Sequence, residues 1–276
     1  MRLHNLFLSN NGIYMAHLYY GDPSEEFSLK VMKVLCENGV DIIEFGIPFS
    51  DPNADGPIFQ RACERAIKAG MTPLRAIQGI KKLRKSGIEQ PIVVTSYYNP
   101  ILQMGVDSFM QSIRTAGADA LIVPNVPLEE SDMLFDAGKK HDIKIILLVA
   151  PTTPPIRLKK IIQRAQGFLY LITITGVTGV RESISNSTLT LVKRVREYTD
   201  IPILGGFGIS NREHSKAIVA AGANGVITGS VIAKAYEKYI TQPEKSIPDI
   251  KRIVREIKLG CQEGVKQQKE VMYHEQ

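Results

Sequence analysis

Cysteine is scarce in this chain, and the few cysteines show no functional spacing. The 276 residues contain only Cys36, Cys63 and Cys261. An odd number of cysteines without C-x-x-C spacing indicates neither a disulfide framework nor a zinc site. We therefore expect a protein of the reducing cytoplasm that holds no metal.

Long hydrophobic runs are also absent. No apolar run approaches the roughly 18 residues that a membrane-spanning helix needs, and the first twelve residues (M-R-L-H-N-L-F-L-S-N-N-G) are too short and too polar for a signal peptide. No linker-like segment interrupts the chain. We therefore predict one domain over residues 1–276, with an N-terminal cap segment at 1–12 and a polar C-terminal tail at 263–276.

The excess of positive over negative charge is small. The formal net charge is +6, and the basic residues are scattered, as at Lys81 and Lys82. This distribution is typical of a solvated surface and argues against a nucleic-acid-binding patch. A mildly positive field would still help to collect an anionic substrate.

A short unit recurs three times along the chain. Each copy is an amphipathic helical stretch, a glycine and an apolar run. Glycine is the residue that ends helices in a left-handed conformation, and a continuous apolar run is typical of a strand buried on both faces. The three copies are G-V-D-I-I-E at 39–44, G-A-D-A-L-I at 117–122 and G-A-N-G-V-I at 222–227.

Other apolar runs fill the gaps and bring the predicted strands to eight. These runs lie at residues 13–18, 91–95, 143–149, 168–172 and 201–204. Helical patterns separate the strands, at residues 25–37, 106–116, 129–140, 155–166, 188–198 and 212–221, with a last helix at 246–259. Regular alternation predicts a parallel α/β sheet that closes as a single (β/α)8 TIM barrel. A doubly wound open sheet is the alternative, but no G-x-G-x-x-G follows the first strand.

Two acidic residues lie at the end of the second strand and in the loop after it, where such a barrel has its active site. Glu44 lies near the end of the second strand, and Asp55 lies eleven positions later in the loop that follows. A buried acid is costly unless it is paired or used, and two facing carboxyls suit general acid–base catalysis. A structural strand end with an Asp-rich turn is the other interpretation.

Glycine-rich loops follow the seventh and eighth strands. They read G-G-F-G-I-S at 205–210 and T-G-S at 228–230, the second entering a short helix. Such loops let backbone N–H groups approach an anion, and in this fold they form the phosphate site. The loop T-G-V-T-G at 175–179 would close the site from one side. The pattern predicts an enzyme with a small phosphorylated substrate, unless the glycines only make tight turns.

These motifs resemble the tryptophan synthase alpha subunit family. The match runs in order from G-D-P at 21–23 to Ser230. It includes E-F-G-I-P-F-S-D-P-N-A-D-G-P at 44–57, Y-Y-N-P-I at 97–101, A-P-T-T-P at 150–154, and the glycine-rich loops above. The motif of the second loop is long and specific.

The resemblance implies a retro-aldol cleavage of indole-3-glycerol phosphate to indole and glyceraldehyde 3-phosphate. It makes Glu44 the acid–base residue, gives Asp55 the indole N–H, and places Tyr170 in the site near the acid. The residues it assigns to the phosphate are Gly179, Gly208, Gly229 and Ser230. It further makes Phe207 and Tyr97 part of the indole pocket, and gives Thr178 a role in loop closure.

The resemblance also implies a partner. The family works with a beta subunit that uses pyridoxal phosphate, so no cofactor is expected in this chain. The positions that match the contact surface are Pro48, Asp51, Pro52, Asn53 and Asn99.

Some positions depart from the family pattern. His17, Tyr19 and Thr95 stand where the family tends to have small or apolar residues, and strand alternation puts His17 and Tyr19 on one face. Asn125 and Asn53 replace an aspartate and a leucine. His17 is either a titrating or hydrogen-bonding group of the pocket, or a core or rim histidine whose hydrogen bonds are satisfied by its neighbours. Two further alternatives are a diverged stand-alone paralogue, making free indole or acting on a modified substrate, and a non-catalytic activating subunit.

Overall fold

The computed structural model describes residues 2–9, 12–172, 186–206 and 208–274. Within these residues the chain forms nine strands, all paired in parallel. They are β1 (Ile13–Tyr19), β2 (Ile42–Gly46), β3 (Ile92–Thr95), β4 (Ala120–Ile122), β5 (Lys144–Ile145), β6 (Leu147–Val149), β7 (Leu169–Ile172), β8 (Ile203–Gly206) and β9 (Gly225–Thr228).

The strands close into the predicted barrel. The sheet order is β5-β4-β3-β2-β1-β9-β8-β7-β6, so its two ends are consecutive in the chain. Only Ile146 separates β5 from β6, and its N–H donates to the carbonyl of Leu121 at 2.9 Å. Together β5 and β6 are therefore the fifth of eight barrel strands, which confirms the (β/α)8 fold.

Helices surround this barrel. In the described part of the chain they are α1 (Arg2–Leu8), α2 (Glu25–Glu37), α3 (Pro57–Lys68), α4 (Pro73–Lys85), α5 (Tyr98–Met104), α6 (Val106–Ala116), α7 (Asp132–His141), α8 (Pro155–Arg164), α9 (Asn186–Arg196), α10 (Arg212–Ala220), α11 (Ser230–Glu237) and α12 (Ile247–His274). Short 3-10 helices occupy Leu128–Glu130 and Pro243–Ser246.

Local sequence explains where several helices begin and end. Ser24, Thr72 and Asn211 each accept a hydrogen bond from a backbone N–H three residues later, at the starts of α2, α4 and α10. Gly117, with φ of 105°, ends α6 in the left-handed conformation. This is the glycine cap that the repeat predicts.

The polar tail does not separate from the last helix. α12 continues from Ile247 to His274, well past the predicted end at 259. At its start, the hydroxyl of Ser246 donates to the carbonyl of Pro243. No helix in the described ranges is apolar over a length that would cross a membrane.

The barrel has an inner and an outer core. Large apolar side chains of alternate strand positions fill the inside, among them Met15, Ile42 and Phe168. Leu3 of α1 joins this inner cluster and closes the amino-terminal end of the barrel. Because that end is filled, the open positions for a ligand lie at the carboxyl ends of the strands.

Candidate functional site

A layer of polar side chains replaces the apolar core toward the carboxyl ends of β1, β2 and β3. In the parallel register His17 stands beside Glu44, and Tyr19 and Thr95 flank Gly46. The glycine makes room for the rings, since a Cβ at position 46 would lie 2.7 Å from the Tyr19 ring and 2.9 Å from that of His17. The alternation that the sequence predicts for His17 and Tyr19 is therefore present, and this face points into the barrel.

Glu44 is buried in this layer, with 3% of its surface exposed. Its Oε1 accepts a hydrogen bond from Thr95 Oγ1 at 2.7 Å, while Oε2 has no hydrogen-bond partner in the described part of the chain. Burial raises the pKa of Glu44 to about 8; the hydrogen bond from Thr95 opposes this rise and the charge of Asp55 adds to it. Glu44 is consequently protonated at neutral pH, the state that a general acid needs.

His17 lies against the same carboxyl. Its Nδ1 is 3.3 Å from Glu44 Oε1. Burial lowers the pKa of His17 to about 4, although Asp55 and the backbone of Glu44 act in the other direction. The contact is therefore between two neutral groups at pH 7 and is not an ion pair.

Asp55 is the second acid and is held by two tyrosines. The hydroxyls of Tyr19 and Tyr97 both donate to its Oδ2 at 2.6 Å. Tyr97 also accepts from the N–H of Ala54 at 3.0 Å, which fixes the loop beside the acid. Because Tyr19 also packs edge-on against His17, with ring centroids 4.9 Å apart, the two acids belong to one connected cluster.

Phe59, a residue that the sequence analysis missed, completes the wall of this cluster. Its ring packs edge-on against His17 at 4.7 Å and against Tyr19 at 5.6 Å between centroids. Phe59 lies on α3, whose buried positions Ala62, Cys63 and Ala66 recur at helical spacing. That spacing predicts an inward face that includes position 59.

Tyr170 occupies the opposite side of the barrel, on β7. The burial of its ring raises the pKa of the phenol well above its usual value, and the charges of Glu44 and Asp55 add to the rise. A Cβ at Gly206 on β8 would lie 2.7 Å from the Tyr170 ring. Because Gly206 has no side chain, the ring of Tyr170 fits beside it. The phenol of Tyr170 remains a neutral donor near both acids.

The predicted phosphate residues are only partly described. Gly208 follows β8 with φ of 65°, and Gly229 precedes α11, of which Ser230 is the first residue. Since β8 and β9 are neighbours, both loops lie at one rim of the barrel, where α11 presents the unpaired N–H groups of its first turn. A Cβ at Gly229 would lie 2.5 Å from the Phe59 ring. Gly179, Thr178 and Phe207 lie outside the described residues.

A buried ion-pair network supports this rim from below. Asp22, whose side chain is completely buried, accepts from Arg65 at 2.7 and 2.8 Å and from the Tyr236 hydroxyl at 2.6 Å. Arg65 also donates to Glu237 at 2.9 Å, and Arg61 pairs with that same carboxylate. The network joins the first loop to α3 and α11, the two helices that carry Phe59 and Ser230. Only the motif G-D-P at 21–23 marked this cluster in the sequence.

The predicted partner surface divides into exposed and buried positions. Asp51, Asn53 and Asn99 are exposed, whereas Pro48 and Pro52 are buried and shape the loop after β2. The departure at Asn125 has a local role, because its side-chain oxygen accepts from the Tyr98 N–H at 3.0 Å, at the start of α5.

Taken together, this arrangement offers a neutral buried acid, an acid held by tyrosines and an anion-binding rim, all at one end of the barrel. Across the described ranges, no cluster of three or more His, Cys, Asp or Glu side chains could hold a metal ion. The chemistry that these residues support is proton transfer to and from a small anionic substrate.

Comparison with known proteins identifies a family for this chain. A sequence model of the family described as Tryptophan synthase alpha chain matches residues 3–262. The tryptophan synthase alpha chain of Methanocaldococcus jannaschii is 44% identical over 237 residues, which cover 85% of this chain and 84% of the relative. That of Arabidopsis thaliana is 40% identical over 238 residues, or 86% of each chain.

Solved structures agree with the sequence comparison. A chain of Mycobacterium tuberculosis tryptophan synthase superposes with a TM-score of 0.85 at 33% identity, over 95% of this chain and 98% of that chain. These similarities favour neither a stand-alone paralogue nor a non-catalytic activating subunit.

Proposed function

We propose, from the premise that this chain belongs to the tryptophan synthase alpha chain family, that it cleaves indole-3-glycerol phosphate to indole and glyceraldehyde 3-phosphate. The bond that breaks joins C3 of the indole ring to the first carbon of the glycerol phosphate side chain. C3 must gain a proton, and the hydroxyl on that side-chain carbon must lose one as it becomes an aldehyde.

Glu44 supplies and recovers this proton. It is protonated near pH 7 because burial raises its pKa to about 8, so it can protonate C3. The carboxylate left behind then accepts the hydroxyl proton as the carbon–carbon bond breaks, which restores the starting state. The observation that carries this proposal is the buried carboxyl at the end of β2, with one oxygen that accepts no hydrogen bond from the described residues.

Asp55 stabilises the ring during cleavage. Protonation of C3 places positive charge on the indole nitrogen, and a carboxylate that accepts its N–H favours that charge distribution. Both tyrosine hydroxyls donate to Oδ2, so we assign the ring N–H to Oδ1. Tyr170 lies near both acids and orients the substrate between them.

The rim after β8 and β9 holds the phosphate in this proposal. Gly208 in the loop after β8, and Gly229 and Ser230 at the start of α11, offer backbone N–H groups to it. Anchoring at this rim leaves the ring end of the substrate for Glu44, Asp55 and the tyrosines that hold Asp55. Thr178, Gly179 and Phe207 keep the roles that the family resemblance implies.

The first experiment measures indole release by the purified chain with indole-3-glycerol phosphate, with and without a beta subunit. Glu44→Gln should lower kcat at least about a hundredfold, the usual effect of losing a general acid–base group. The matched control is Glu64→Gln on the exposed face of α3, which should leave kcat unchanged. Full activity in Glu44→Gln would remove Glu44 from this role.

We also propose a partner of the pyridoxal-phosphate type, a beta subunit. The exposed residues Asp51 and Asn53 after β2, with Asn99 on α5, form the surface that we assign to it. Asp51→Ala should weaken the complex in analytical ultracentrifugation and leave indole release by the lone chain unchanged. A complex of unaltered stability would place the contact elsewhere.

A further inference from the structure

The two oxygens of the Glu44 carboxyl have different surroundings. Oε1 accepts the hydrogen bond from Thr95 Oγ1 at 2.7 Å and lies 3.3 Å from His17 Nδ1. Oε2 is equally buried, yet no described residue forms a hydrogen bond with it. A buried polar atom without a partner is costly, so this asymmetry calls for an explanation.

The direction of the Thr95 hydrogen bond provides one. The hydroxyl donates, so Oε1 uses a lone pair and acts as the carbonyl oxygen of the neutral acid. The proton of the acid then belongs on Oε2, the oxygen that has no hydrogen-bond partner among the described residues. Thr95 and Glu44 stand on adjacent parallel strands, β3 and β2, so the donor is held by the sheet itself.

We propose that Thr95 is a positioning residue that keeps Oε1 as the acceptor and so makes Oε2 the oxygen that delivers the proton. The inference deepens the proposed function and rests on it for the fate of that proton.

The substitution Thr95→Val isolates this contribution. Valine keeps the branched shape that suits β3 and removes only the hydroxyl. Because the hydrogen bond from Thr95 lowers the pKa of Glu44, its loss should raise that pKa further, by about one unit for a single hydrogen bond. Among the described residues, the other polar groups near the carboxyl are His17 on β1, Tyr170 on β7 and Asp55 in the loop after β2, and the substitution leaves all of them in place.

Infrared difference spectroscopy reads the carboxyl directly and needs no turnover. The C=O stretch of protonated Glu44 is identified as the band that Glu44→Gln lacks. In Thr95→Val this band should move to higher wavenumber, because its oxygen loses a donor, and its titration midpoint should move up by about one pH unit. Thr95→Ser, which retains the hydroxyl, should restore both values.

Three infrared results would overturn the proposal. An unchanged band in Thr95→Val would show that the hydroxyl does not donate to the carbonyl oxygen. A shift to lower wavenumber would show that the carbonyl oxygen has not lost a donor. The absence of any neutral-pH band that depends on Glu44 would show that the acid is ionised.

A kinetic measurement adds a second readout. The alkaline limb of the kcat profile for indole formation should move to higher pH in Thr95→Val and return in Thr95→Ser, with KM nearly constant. An alkaline limb that does not move would count against the role of Thr95. If the unmodified chain releases no indole, the proposed function fails, and the infrared result still decides the orientation of Glu44.

Discussion

The pH dependence of folding stability tests the protonation of Glu44 without a substrate. Burial raises the pKa of Glu44 from its ordinary value of 4.5 to about 8, so between these values the folded chain holds a proton that the unfolded chain has released. The stability contributed by Glu44 is fully present below pH 4.5 and is lost as the pH rises through about 8.

His17 acts in the opposite direction at lower pH. Its pKa falls from 6.5 to about 4 on folding, mainly through burial, so its contribution is lost as the pH falls through about 4 and is constant above pH 6.5. Above pH 6.5 the Glu44 contribution therefore changes while that of His17 does not. Burial raises the pKa values of Cys36, Cys63 and Cys261 from 9.0 to about 12, but these thiols are common to the unmodified chain and Glu44→Gln and cancel in the comparison. The raised pKa of Glu44 lies about 1.5 units above the starting pH (8 − 6.5), which corresponds to about 2 kcal/mol at 1.36 kcal/mol per unit.

The comparison is between the unmodified chain and Glu44→Gln, which has nearly the same shape and cannot titrate. The free energy of unfolding in urea should fall by about 2 kcal/mol more in the unmodified chain between pH 6.5 and about pH 9. The chain has no tryptophan, so helical circular dichroism is the suitable signal. Glu64→Gln, on an exposed helix face, should follow the unmodified chain. Parallel pH profiles for the unmodified chain and Glu44→Gln would refute a protonated Glu44.

Two further predictions concern the pocket and its support. Tyr19→Thr should change the preference among ring-substituted indole glycerol phosphates more than the inhibition constant of glyceraldehyde 3-phosphate; the reverse pattern would place Tyr19 outside the ring end. Arg65→Met should cost roughly 3–5 kcal/mol in urea unfolding, because it leaves the buried carboxylate of Asp22 without its cation. Arg61→Met, whose side chain is half exposed, should cost less than about 1 kcal/mol, and equal losses would contradict the role of burial.

The fold was predictable because its signals are local. Glycines after amphipathic helices and apolar runs of strand length repeat along the chain. Strand alternation placed His17 and Tyr19 on one face, and the structure shows that this face points into the barrel. The break between β5 and β6 at Ile146 left no such signal, since the apolar run from 143 to 149 is continuous. The inward ring of Phe59 was missed because its partners come from a different strand and its own helix was not assigned.

Contacts within the candidate site depend on register and reach, which one sequence does not contain. Residue types alone do not predict that Thr95 donates to Glu44 from the adjacent strand. Nor do they predict that Tyr19 and Tyr97 both donate to one oxygen of Asp55. The position of the two acids at the end of β2 and in the next loop singled them out, and the family resemblance gave them roles. The departures from the family pattern marked Thr95, His17 and Tyr19. The structure adds that these departures contact the acids themselves.

In both acids the hydrogen bonds from hydroxyl groups go to one oxygen of the carboxyl. This arrangement limits how an indole ring can lie between the two acids. Oε1 of Glu44 accepts a hydrogen bond from one hydroxyl of the protein, and Oδ2 of Asp55 accepts hydrogen bonds from two. Each carboxyl therefore keeps one oxygen that no hydroxyl of the described residues reaches. Indole presents C3 and N1–H on opposite sides of C2 in its five-membered ring, so a ring that meets both of these oxygens has a single orientation. The hydroxyls of Thr95 and Tyr19 determine which oxygen of each carboxyl remains available to the ring. Substitutions of Thr95 or Tyr19 should therefore affect the orientation of the substrate and the rate of cleavage more than phosphate binding.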